Sequence, residues 1–256
     1  MTTKPTKTCS PLMPFTVIGD PSFKTSLKIV KTFAESGAYA IELGFPFSDP
    51  TADGPTIQAA DNRALKAGIT PKSVIEFIKE SRKFTNLPIG LLAYYNPILQ
   101  YGVEKFYREA AKAGLTSILI TDLPPEEASE ACQYAKHHGL HQIFVVSSLT
   151  TPKRLKIILK NASGFLYVVS KPGVTGTKTD LANETIQTIK RLKKQTQLPL
   201  YVGFGISESK HVREVVKAGA DCAIVGSALV KMIEENLKTQ SRIPEIMEKK
   251  IRKLIN

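Results

Sequence analysis

Short apolar runs alternate with amphipathic segments along almost the whole chain, and this alternation limits the fold more than any other feature. The runs 15–18, 40–43, 89–93, 117–121, 142–146, 165–169, 200–202 and 222–225 have the length and composition of buried strands. Between and after them, the segments 22–36, 72–84, 103–113, 125–138, 152–161, 183–195, 207–217 and 228–236 read as amphipathic helices. Strands alternating with helices of this length imply βαβ units and a parallel sheet. Eight of each predict an α/β fold that closes into a single (β/α)8 TIM barrel, rather than an open sheet. The spacing shows no linker, so residues 1–256 read as one domain. Its barrel spans about 14–237, and an extra C-terminal helix spans about 244–255. Gly37, Gly114 and Gly219 each fall between a helix and the next strand, where a left-handed residue stops the helix.

Composition excludes several classes. The chain is 42% hydrophobic over 256 residues, enough for one large core. The net charge is +12, but the lysines recur at helical spacing, as in Lys24, Lys28 and Lys31, which marks a solvated face. No RNP-like aromatic motif or zinc-finger spacing accompanies them, so no nucleic-acid partner is expected. No stretch reaches the roughly 20 apolar residues that span a bilayer. The first ten residues lack the apolar core of a signal peptide. Three scattered cysteines, with no CxxC pair, fit a reducing compartment, and the expected location is cytoplasmic. Cys222 reads as a small core residue. His137, His138, His141 and His211 show no metal-ligand spacing, so no metal site is expected.

In such barrels, chemistry sits at the C-terminal ends of the strands and in the loops after them. Glu42 lies near such an end, inside an apolar run. A buried carboxylate costs several kcal/mol unless paired or neutralised, so this residue is a chemical candidate. The Pro- and Gly-punctuated loop after it carries Asp49 and Asp53. Asp122 ends the fourth strand, and the long loop 170–182 follows the sixth. Late in the chain, Gly203-Phe204-Gly205 and Gly226-Ser227 end strands seven and eight just before helices. Those two loops form the usual phosphate site of the fold, because glycine lets backbone amides approach an anion. Gly176 is a third candidate donor.

The motifs Pro14-Phe15-Thr16-Val17-Ile18-Gly19-Asp20-Pro21 and Glu42 through Gln58 resemble those of the alpha subunit of tryptophan synthase. Tyr94-Tyr95-Asn96-Pro97-Ile98, Asp122-Leu123-Pro124 and Gly173-Val174-Thr175-Gly176 extend the likeness, as do Gly203 through Ser207 and Gly226-Ser227-Ala228. The resemblance runs from about residue 14 to about 237. It implies a carbon–carbon lyase that cleaves indole-3-glycerol phosphate, by a retro-aldol step, to indole and glyceraldehyde 3-phosphate. The family's catalytic carboxylates fall on Glu42 and Asp53, with Tyr167 assisting. Phosphate would be held at Gly176, Gly205, Gly226 and Ser227. Phe15, Leu92 and Tyr94 would line the indole pocket, and Thr175 would bond Asp53 when loop six closes.

The resemblance also implies a beta-subunit partner carrying pyridoxal phosphate, in an α2β2-type heterotetramer, and no cofactor on this chain. Contact would fall on the loop 46–55 and around 96–101, including Pro46, Asp49, Asn96 and Pro97. A non-catalytic subunit that binds a phosphate ligand and activates the partner is the alternative, and the presence of both carboxylates argues against it. Two departures stand out. Only about a dozen residues precede the first strand, and Pro5, Pro11 and Pro14 disfavour the family's covering helix. Lys171 stands where the family commonly has Arg, which keeps the charge without the forked contacts and would alter loop closure.

Overall fold

A computed structural model describes residues 10–169, 178–203 and 205–256, with side chains described outside 178–182. Eight parallel strands close into a barrel in sequential order. They are β1 (Leu12–Val17), β2 (Ile41–Gly44), β3 (Ile89–Ala93), β4 (Ser117–Ile120), β5 (His141–Val146), β6 (Leu166–Val168), β7 (Leu200–Gly203) and β8 (Cys222–Val225). Closure comes from β1 pairing with β8, with Leu12 opposite Ala223 and Pro14 opposite Val225. On the other side of β1, Phe15 lies opposite Glu42, and Glu42 lies opposite Gly90.

The helices are α1 (Phe23–Glu35), α2 (Pro55–Lys66), α3 (Pro71–Ser81), α4 (Tyr95–Tyr101), α5 (Val103–Ala113), α6 (Ser129–His138), α7 (Pro152–Asn161), α8 (Lys178–Lys193), α9 (Ser209–Lys217), α10 (Ser227–Glu235) and α11 (Ile243–Ile255). Ser22 caps α1 by accepting the Thr25 amide, and Thr70 with Ser73 forms a capping box on α3. Gly37, Gly114 and Gly219 all take positive φ, as their place after a helix requires.

Two apolar layers result. One, including Ile29, Phe33, Phe77, Phe106 and Met247, lies between strands and helices. The other, with Met13, Leu119, Ile143, Tyr167, Tyr201, Cys222 and Ile224, fills the barrel itself. Cys222 is fully buried there, as its apolar run requires. At the N-terminal face a cavity of about 280 Å3 is lined by Met13, Gly90, Ser117, Phe165 and Tyr201.

The chain departs from the sequence reading in several places. β1 starts at Leu12, ahead of the expected 15, and α8 is already formed at Lys178. The expected loop between β2 and β3 contains a helix, α2, and the segment after β3 contains another, α4. α2 opens on Pro55 and α4 carries Pro97 as its third residue, both within a first turn, where the missing N–H leaves no bond unmade.

Candidate active site

Glu42 points into the barrel and is 3% exposed. The Tyr167 hydroxyl donates to Glu42 Oε2 at 3.4 Å from the far side of the barrel. Burial pushes the Glu42 carboxyl up to about 8; the Tyr167 bond opposes that and the charge of Asp53 adds to it. Glu42 is therefore a protonated acid at neutral pH.

Asp53 sits on the loop between β2 and α2, half-buried, facing Glu42. Its carboxylate accepts from the Tyr94 hydroxyl at 2.7 Å, and the same Tyr94 oxygen accepts the Ala52 amide at 3.0 Å. Gln58 donates to the Asp53 carbonyl at 2.8 Å, so the first turn of α2 holds the residue from behind. Burial raises the Asp53 carboxyl and the Tyr94 bond lowers it.

The apolar candidates converge on these two carboxyls. Phe15 and Tyr94 are buried, Leu92 is half-buried, and the Phe47 ring packs on Tyr94 with centroids 5.3 Å apart. Two glycines make this packing possible. A Cβ on Gly203 would lie 2.5 Å from the Tyr167 hydroxyl, and one on Gly44 would lie 2.8 Å from the Phe15 ring. Gly203, which the sequence presents as part of an anion loop, thus gives Tyr167 its room.

Gly226 is the N-cap of α10 and makes no side-chain cap bond, and Ser227 opens the helix with its side chain exposed. No capping side chain therefore bonds the first amides of that helix, the arrangement that attracts an anion. Gly205 is exposed, at φ +72°. Thr175, Gly176 and Lys171 lie outside the described residues, so their expected roles are untouched by this geometry.

Among the intended contact residues, Asp49 and Asn96 are exposed, Pro97 is half-buried and Pro46 is buried. Leu99, on α4, is 50% exposed. Asp122 accepts the Tyr95 amide at 2.8 Å and so supports the start of α4. Among the described residues, no cluster of three or more His, Cys, Asp and Glu side chains could hold a metal.

One residue beside the site was not singled out by sequence: the Thr121 hydroxyl donates to the carbonyl of Ala93, next to Tyr94, at 3.3 Å. Thr121 lies at a strand end one residue before Asp122, which is the signal that could have found it. His211, which shows no metal-ligand spacing in the sequence, accepts the Ser207 amide at Nδ1.

A (β/α)8 barrel with two facing carboxyls, an aromatic slot and glycine turns at its last two strand ends defines a phosphate-ligand barrel enzyme. The sequence model of the family "Tryptophan synthase alpha chain" matches residues 2–255, and the chain belongs to that family. It is 52% identical to the tryptophan synthase alpha chain of Methanothermobacter thermautotrophicus over 225 residues, 88% of this chain and 83% of that one. It is 43% identical to that of Methanoregula boonei over 242 residues, 94% and 90% of the two chains. A structure of the tryptophan synthase α2β2 complex from Pyrococcus furiosus superposes with a TM-score of 0.89, at 38% identity, covering 95% of this chain and 97% of that one. Tryptophan synthase subunit alpha from Legionella pneumophila gives 0.87 at 34% identity, covering 96% and 91%.

Proposed function

We propose that this chain performs the lyase step of tryptophan synthase, cleavage of indole-3-glycerol phosphate to indole and glyceraldehyde 3-phosphate, with Glu42 and Asp53 as its catalytic carboxyls. The observation that carries this reading is the pair itself. One carboxyl is buried and protonated; the other is half-exposed and held by a phenol.

The division of labour follows from environment. Glu42, a neutral acid, donates its proton to the indole ring carbon. That makes the ring nitrogen electron-poor, and Asp53 accepts its N–H bond and stabilises the developing positive charge. Glu42, now a carboxylate, takes the proton of the glyceryl hydroxyl as the carbon–carbon bond breaks. The proton balance closes, and one residue serves as acid and then base. Tyr167 keeps the Glu42 carboxyl oriented throughout. Phe15, Leu92 and Tyr94 supply a slot for the flat ring, while the amides at Gly205, Gly226 and Ser227 hold the phosphate.

A beta subunit carrying pyridoxal phosphate is the partner of this reading, and the likeness to the α2β2 complex from Pyrococcus furiosus supports it. The exposed Asp49, Asn96 and Leu99 and the half-buried Pro97 form the contact surface, with buried Pro46 fixing the loop behind them. The chain itself carries no cofactor in this reading. Among the described residues no helix is long and apolar enough to cross a membrane. Cytoplasmic placement is part of the same reading.

Indole release from indole-3-glycerol phosphate, measured with the beta subunit present, tests the assignment. Glu42→Gln loses turnover and keeps substrate binding. Asp53→Asn loses on the order of a hundredfold or more in rate. Near-normal turnover in either variant refutes that residue's role.

A further inference from the structure

We infer that Lys250, on the C-terminal helix α11, is a positioning residue for the substrate phosphate, acting through the main chain of Ser207. This inference rests on the phosphate site described above. The loop after β7 loses its sheet support at Gly203 and reaches α9 only at Ser209. Within it, Ser207 has both of its main-chain groups taken by side chains from outside the barrel. Its amide donates to His211 Nδ1 at 3.3 Å, and its carbonyl accepts from Lys250 Nζ at 2.7 Å. Ile206 is buried beside it.

Gly205, two residues earlier, is exposed at positive φ, and in the reading above its amide holds the anion. An amide can hold a phosphate only if its peptide is fixed before the ligand arrives, because ordering it on binding costs affinity. The fixed point is Ser207, and the cation that fixes it belongs to a helix that plays no part in the chemistry.

Lys250 suits this work. It is half-buried, and its ammonium makes no ion pair within 4 Å among the described side chains. Glu208, the nearest acid on the loop, is paired with Lys210, while Lys250 and His211 only add to its local positive field. Lys249, its neighbour in sequence, points to solvent and pairs with Glu245. The two lysines therefore carry the same charge one residue apart, and only one of them touches the loop.

The test is steady-state lyase kinetics of the complex with the beta subunit. It reads KM for indole-3-glycerol phosphate and the inhibition constant of inorganic phosphate. Lys250→Met is expected to raise both by roughly tenfold, as loss of a charge-assisted bond would, with kcat within about twofold. Lys249→Met removes the same charge and is expected to change neither. Lys250→Gln, which keeps a donor without the charge, is expected to recover most of the loss. Unchanged constants in Lys250→Met overturn the inference, and so does an equal effect from Lys249→Met, which would mean a general field. Ser227→Asp separates the two levels. If it raises the phosphate constant while Lys250→Met does not, only the positioning role falls. If neither variant moves the constant, the phosphate site falls and the positioning role with it.

Discussion

Glu42 and Asp61 are two buried carboxyls raised to the same range by different surroundings. Glu42 faces the barrel interior, where burial keeps it neutral and ready to donate. Asp61 lies on the inner face of α2, 4% exposed, and the charges of Asp53 and Asp20 add to its burial and push it up to about 8. Arg63, two residues on, is committed elsewhere: it grips both carboxylate oxygens of fully buried Asp20, at 2.7 and 2.9 Å, and also pairs with Glu234. Asp61 therefore binds its proton more tightly in the folded chain than in the unfolded one. Its contribution to stability is intact below pH about 4 and declines as pH rises toward 8. Asp61→Asn removes that decline. Thermal melts at pH 8.5 should show the variant more stable by a few degrees, on a scale of about 2–4 °C per kcal/mol for a chain of this size. At pH 4 the two should coincide. A variant that melts lower at pH 8.5 would show that the ionised carboxylate is held by a partner after all.

At the level of elements, β6 and β7 are fitted to each other by a missing side chain. Gly203 leaves the space in which the Tyr167 hydroxyl reaches Glu42. Gly203→Ala should displace Tyr167 and lower the lyase rate by roughly tenfold to a hundredfold, the usual scale for misplacing a catalytic group. The inhibition constant of phosphate should stay unchanged; a variant that loses phosphate affinity and keeps its rate would return Gly203 to the anion loop.

The elements also show what a sequence can reveal. The eight strands and the glycine stops were legible because they depend on local periodicity and on φ alone. Helix α2 was not, since Gly54 and Pro55 at its start look like breakers when read linearly, and Asp61 interrupts the apolar face formed by Ile57, Ala60 and Ala64. Glu42 stands out in the sequence because a carboxyl inside an apolar run conflicts with burial, whereas only the family resemblance separates Asp53 from Asp49 in the loop after it. The grip of Tyr94 on Asp53, 41 residues away, and that of Lys250 on Ser207, 43 residues away, are contacts of the closed barrel, and no local pattern encodes them.

On the scale of the whole molecule, the barrel separates its tasks by face. The carboxyls, the aromatic slot and the glycine turns all sit at the C-terminal ends of the strands, where loops can adapt without disturbing the core. The parts are nonetheless coupled: Asp53 lies in a loop whose exposed flank is the proposed partner surface, so docking can order this proposed catalytic carboxylate directly. The net charge of +12 gives the chain a field that favours an anionic substrate over its neutral product indole.

The central claim is that one buried, protonated carboxyl starts the cleavage, and the pH dependence of indole release tests it most directly. In the complex with the beta subunit, the rate at saturating indole-3-glycerol phosphate should be level through neutrality. It should fall above pH about 8 as Glu42 loses its proton, and Glu42→Gln should be inactive at every pH. A rate that stays level to pH 10, or a Glu42→Gln variant with the same alkaline fall, would contradict the account.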